Sequence, residues 1–163
     1  MFLKAGKPVV APTNILPEKK DIQHERSDKM IDKKMKLDKN KNIRVKIFPG
    51  HQSELINNLY VVTTDEKKTV AHIGDQYNKE DMEWIVNISK DIPQPDALIV
   101  NCWTHRMSDL VDGFNPKLVV TGHENEMGHT IDHREAFWLT FQKMEQISKD
   151  YLVMGWGEWY QCP

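Results

Sequence analysis

Cysteine is scarce. Cys102 and Cys162 are the only two in 163 residues, which excludes a disulfide scaffold and a cysteine-rich zinc site. No apolar run approaches the roughly 20 residues of a membrane span. The N-terminal "MFLKAGKPVVAP" lacks an h-region of signal-peptide length, so the chain reads as cytoplasmic, without a membrane partner. Neither sign of charge dominates: 22 Lys and Arg stand against 24 Asp and Glu, a formal net charge of -2, and no global field draws the chain to nucleic acid. Internal repeats and low-complexity tracts are missing too. What remains, 39% hydrophobic and 28% charged residues, is the composition of a globular protein, and the length suits one domain spanning residues 1–163.

Near the start, "FLKAG" resembles the last turn of a helix closed by Gly6, and "KPVVAP" a short buried strand. Residues 19–42 are lysine-rich with interspersed acids and carry Met30, Ile31, Met35 and Leu37 as their apolar positions. A short solvated helix suits this segment, and the lack of interleaved aromatics argues against a nucleic-acid surface. Beyond it, "NIRVKIF" alternates Ile43, Val45 and Ile47 with Arg44 and Lys46, the period of a half-buried strand. "LYVVTT" and "TVAHIG" follow as strands joined by the turn "DEKK". In "NKEDMEWIVNISK", Asn78 is placed to cap a helix with Met82, Ile85 and Val86 on one face. "DALIVN" and "KLVVT" are continuous apolar runs, as in strands covered on both faces. Asp132 and Glu135 have capping-box spacing ahead of a helix in which Phe137, Phe141 and Met144 recur.

Three loops, "FPGHQ", "AHIGDQ" and "TGHENEMGH", each follow a predicted strand, where ligand sites in α/β sheets lie. Gly50, Gly74 and Gly122 let the backbone turn before His51, Asp75 and His123 and present those side chains to a shared cleft. Two imidazoles and a carboxylate suit zinc, iron or manganese, and a carboxylate has two oxygens with which to bridge a pair of ions. Such a set is chemically reasonable for a dinuclear hydrolytic site.

In their order and placement these motifs resemble the metallo-β-lactamase superfamily, in particular its branch of metal-dependent hydrolases. There "PGH" supplies a histidine ligand, "GD" a bridging aspartate, and a histidine after a late strand the last ligand. The resemblance implies His51 as a ligand of the first metal, Asp75 as the bridge and catalytic carboxylate, and His123 as a ligand of the second. It also implies an α/β fold, the αββα sandwich, with two ions of zinc, iron or manganese. These would activate water against a small-molecule ester, lactone, amide or phosphodiester. It extends from about Gly6 to the end of the last helix.

The family's H-x-H-x-D-H motif belongs just ahead of the segment where this chain begins, and no window of the chain substitutes for it; His24 and His105 each stand without a second ligand nearby. The chain therefore reads as mainly the C-terminal half of the sandwich, with weak or absent metal binding and no activity alone. A missing N-terminal half or a second copy is the expected partner. The alternative is a catalytically inactive relic or partner-binding subunit of the same fold. Glu124, His129, Asp132, His133 and Arg134 are expected around the metals or along the substrate, because metal-bound histidines need carboxylate or carbonyl partners. Cys102 reads as a core thiol, and Trp138, Trp156 and Trp159 as core or cleft wall.

Overall fold

Alternating and continuous apolar runs build a single large sheet. The computed structural model describes residues 9–11, 22–24, 30–123, 136–155 and 157–161. Two short parallel strands come first, β1 (Val9–Ala11) and β2 (Ile22–His24). The strands β3 (Ile31–Asp38) and β4 (Lys41–Phe48) form a hairpin, and β5 (His51–Gln52) with β6 (Leu55–Ile56) a two-stranded ribbon. Then come β7 (Leu59–Thr64), β8 (Thr69–His72), helix α1 (Met82–Ile85), a 3-10 turn at Ile88–Lys90, and β9 (Ala97–Asn101). Helix α2 (Met107–Phe114), β10 (Leu118–Gly122), helix α3 (Phe137–Met144) and β11 (Asp150–Leu152) complete the order.

The seven-stranded sheet has the order β11-β10-β9-β8-β7-β4-β3. Its β3-β4-β7-β8 half is antiparallel, and β8, β9, β10 and β11 run parallel. In the parallel half each new strand is added on the same side of the last, so right-handed crossovers must place all three connecting helices on one face. The packing agrees. Phe48, Leu59, Val61, Ala71, Leu98, Val100 and Val119 form one core with Met82 and Ile85 of α1, Leu110, Val111 and Phe114 of α2, and Met144 of α3. The opposite face carries a second cluster, Met35, Val45 and Ile47, with Ile31, Ile43, Tyr60 and Val62 packed against it. Toward β8 that face opens, leaving Val70 39% exposed.

The described part of the lysine-rich segment is not helical. Residues 31–38 form β3, with Ile31 and Met35 facing the second cluster while Asp32, Lys34 and Lys36 point outward. Two apolar residues four apart satisfy a helix and a strand equally, and pairing with β4 decides for the strand. Arg44 fixes the hairpin by donating through Nε and Nη2 to the two oxygens of Asp32, at 2.7 and 2.5 Å. Asn78 does not cap α1, whose N-cap is Asp81 without a side-chain bond; its Oδ1 instead accepts the N–H groups of Glu80 and Asp81 in the turn ahead of the helix. The proposed Asp132–Glu135 box lies outside the described residues, and α3 is shorter than its pattern suggests. It buries Thr140 and Met144, so Phe141 (46% exposed) and Trp138 (61% exposed) face outward. Trp159 is 83% exposed, so neither it nor Trp138 is a core residue; Trp156 lies outside the described residues. Cys102 is fully buried. No helix among the described residues is long and apolar enough to cross a membrane.

Candidate functional site

At the end of β8 the chain turns through Ile73, which is fully buried, and Gly74, whose φ of +56° lies in the left-handed region that glycine adopts freely. Asn57 clasps this turn. Its Nδ2 donates to the Ile73 carbonyl at 2.7 Å and its Oδ1 accepts the Asp75 N–H at 2.9 Å. A Cβ on Gly74 would collide with that same Oδ1, so glycine here is required by contact as well as by conformation. The result is an Asp75 side chain aimed across the C-terminal end of the sheet.

Two strands away, β10 ends at Gly122. The sharp turn falls one residue later than expected, on His123 itself, which holds φ +73°, an uncommon conformation for a non-glycine residue. A Cβ on Gly122 would meet nothing closer than 3.8 Å. His123 thereby brings Nε2 to 2.7 Å from Asp75 Oδ1, with both side chains partly exposed. A neutral His123 donates its Nε2–H to that oxygen; with the proton gone, the ring nitrogen and the carboxylate are two adjacent electron-pair donors. His72 joins the neighbourhood, its Nδ1 accepting the Gly74 N–H at 2.8 Å. Desolvation by the surrounding protein pulls the His72 pKa below its ordinary value and the nearby His123 lowers it further, while Asp75 opposes both.

The pair opens on a cleft of about 680 Å³, lined also by Gln52, Glu54, Tyr77, Asn101 and Trp103. Tyr77 is held there by its ring contact with His105, centroids 4.5 Å apart, and a 2.6 Å hydrogen bond between Tyr77 Oη and His105 Nε2.

His51 stands apart from this pair. Side chains alternate along a strand, and in the β5–β6 ribbon Gln52 and Leu55 face the cleft while His51 and Ile56 line a different cavity on the other side. The His51 ring points to Asp81, its Nδ1 lying 3.2 and 3.3 Å from the two carboxylate oxygens. Gly50 before it does not turn left-handed; it is needed because a Cβ would overlap Leu59, Gln76 and the Asn57 carbonyl. Glu124, His129, Asp132, His133 and Arg134 lie outside the described residues.

Several participants went unread in the sequence. Asn57, Gln76 and Asp81 carry no motif, and only their burial in the folded chain marks them: Gln76 and Asp81 are 1% and 7% exposed. Tyr77 and His105 meet across 28 residues, a separation that no local spacing reveals.

Comparison with known proteins adds the fold. No family model matches the chain, and no curated protein matches it. Among solved structures it is similar to that of a proposed Zn-dependent hydrolase of the metallo-β-lactamase superfamily from Thermotoga maritima. The TM-score is 0.50 at 13% sequence identity, over 81% of this chain and 71% of that one. Identity this low shows a shared fold, a mixed α/β architecture around a large sheet consistent with the metallo-β-lactamase type.

Proposed function

We propose that the chain carries part of the site of a metal-dependent hydrolase acting at a dinuclear centre, with Asp75 and His123 among its ligands. The reading is carried by the 2.7 Å contact between these two residues at the ends of strands in one sheet. It is supported by a fold shared with a protein described as a proposed Zn-dependent hydrolase. Zinc, iron or manganese bound there would supply a hydroxide at neutral pH. The chain's own contribution is positional: Asn57 fixes the backbone of Asp75, His123 fixes one carboxylate oxygen, and the cleft beyond has room for a small ester, lactone, amide or phosphodiester.

The described residues do not complete such a site. A catalytic zinc ordinarily takes three protein ligands, and no group of three His, Cys, Asp or Glu able to hold a metal occurs among the described residues. No reaction step is therefore assigned to an ion here. The remaining donors are sought in Glu124, His129 and His133, which follow His123 in sequence, or in a partner chain. A second reading, an inactive or partner-binding relative of such enzymes, is favoured by this two-donor count and by the engagement of His51 with Asp81.

The deciding experiment is zinc titration with elemental analysis. The chain purified without added metal is expected to hold well under one equivalent and to bind added zinc weakly. Asp75→Ala and His123→Ala should each abolish that binding, and His129→Ala and His133→Ala show whether the following stretch contributes. Zinc binding unchanged in both Asp75→Ala and His123→Ala sinks the hydrolase reading.

A further inference from the structure

On the far side of the β5–β6 ribbon lies a cavity of about 470 Å³, within the range of small-molecule sites. Its walls are apolar: Phe48 and Trp84, stacked with ring centroids 6.0 Å apart, together with Met30, Ile56 and Ile88. The polar groups converge at His51. Asp81, almost wholly buried, accepts hydrogen bonds from Gln76 Nε2 at 2.9 Å and Trp84 Nε1 at 3.3 Å, and faces His51 Nδ1. Because Nδ1 looks only at carboxylate oxygens, it carries the proton of the neutral ring, which leaves Nε2 as an acceptor. Nε2 has no hydrogen-bond partner among the described residues. Gln76 Oε1 holds the His51 backbone N–H at 3.0 Å, so the imidazole is anchored at ring and main chain alike.

The charged residues that line the cavity, His51 apart, are acidic. Asp81 and Asp91 both line it. The nearby cation Lys46 is held by the Asp91 main-chain carbonyl and sits 4.0 Å from Asp32. An anionic head would meet the Asp81 carboxylate and an acceptor nitrogen. A head that donates hydrogen bonds would meet partners.

We propose that this cavity is a binding site for a small apolar molecule with a hydrogen-bond-donating head, an aryl or alkyl amine or alcohol, whose donor is received by His51 Nε2 while its body lies along Phe48 and Trp84. The proposal is independent of the hydrolase reading, since none of the residues lining the Asp75–His123 cleft takes part.

The probes are benzylamine, benzyl alcohol and benzoate, followed by the indole N–H resonance of Trp84, which Trp84→Phe identifies by its loss. Benzylamine and benzyl alcohol are expected to shift that resonance saturably with a Kd on the order of 1 mM, as suits ligands of so few atoms. Comparison of the two tells whether the site prefers the cationic or the neutral donor. Benzoate should bind at least about tenfold more weakly, the direction set by like-charge juxtaposition. Ile56→Trp, which fills the cavity from the ribbon side, should abolish the shifts, with cooperative unfolding as the check that the chain still folds. Met30→Trp, at the exposed rim, serves the same purpose if Ile56→Trp does not fold. Benzoate binding as tightly as benzylamine, shifts that persist in a folded filled variant, or no saturable shift with either donor probe would overturn the proposal.

Discussion

Replacing Gly74 by alanine should destabilise the chain through one neighbour, and the size of the effect can be worked from the turn it occupies. Holding a non-glycine residue in the left-handed region costs roughly 1–2 kcal/mol. The new Cβ also collides with Asn57 Oδ1, so Asn57 must swing away and forfeit its bonds to the Ile73 carbonyl and the Asp75 N–H. Each is a neutral hydrogen bond worth about 1 kcal/mol, so Gly74→Ala should cost about 3–4 kcal/mol in all. Asn57→Ala loses the same two bonds without the strain, about 2 kcal/mol. In the double variant the bonds can be lost only once, and its cost should equal that of Gly74→Ala alone, a coupling of about 2 kcal/mol. Urea denaturation of the four proteins measures the cycle. A double variant whose cost matches the sum of the singles within about 0.5 kcal/mol refutes the clasp. Because the turn presents Asp75, any residual zinc binding should fall in parallel.

Three further sets of substitutions test other parts of the molecule. Hydrogen bonds from Arg44 and from Lys117 hold the Asp32 and Asp96 carboxyls below their ordinary value of 3.8; both contributions are therefore complete above that pH and vanish as pH falls through the lowered folded values. Asp32→Asn and Asp96→Asn should flatten the acid limb of a stability–pH curve by up to about 1 kcal/mol each while leaving its shape above pH 5 unchanged. Phe114→Ala, at a position 1% exposed, should cost about 3–5 kcal/mol. Trp138→Ala, at a position 61% exposed, should stay within about 0.5 kcal/mol in the same urea assay. Val62 and Val70 pair across β7 and β8 on the sheet face that the three helices leave uncovered. Self-association through that face should appear in sedimentation and be weakened by Val62→Lys with Val70→Lys, and a monomeric parent chain counts against it.

The strands β4, β7, β8, β9 and β10 are legible because their patterns admit one interpretation: strict alternation in "NIRVKIF", and largely apolar runs too short for helices in "ALIVN" and "LVVT". β3 is not, since its apolar residues fit two periods and only the partner strand chooses between them. Helix α2 is carried by Met107, Leu110, Val111 and Phe114 at i, i+3, i+4 and i+7, a signal present in the sequence but set beside a Trp-Thr-His-Arg stretch that draws the eye to chemistry instead. At the site, the meeting of Asp75 and His123 follows from two strand ends on the same edge of one sheet, which motif placement does convey. The fate of His51 does not. It depends on which way a two-residue ribbon alternates, and a shift of one residue would exchange His51 with Gln52.

The division of the sheet into an antiparallel and a parallel half bears on the order in which the molecule assembles. The β3–β4 and β7–β8 pairs close over short turns, events of microseconds, whereas β8–β9, β9–β10 and β10–β11 each wait for an intervening helix to pack. The turn after β8, with Asn57 clasping it from just before β7, belongs to the early, local part. His123 follows β10 and reaches Asp75 only after two parallel strands have docked in sequence. The Asp75–His123 contact is thus a late, long-range one, absent from any chain whose synthesis has not yet passed β10.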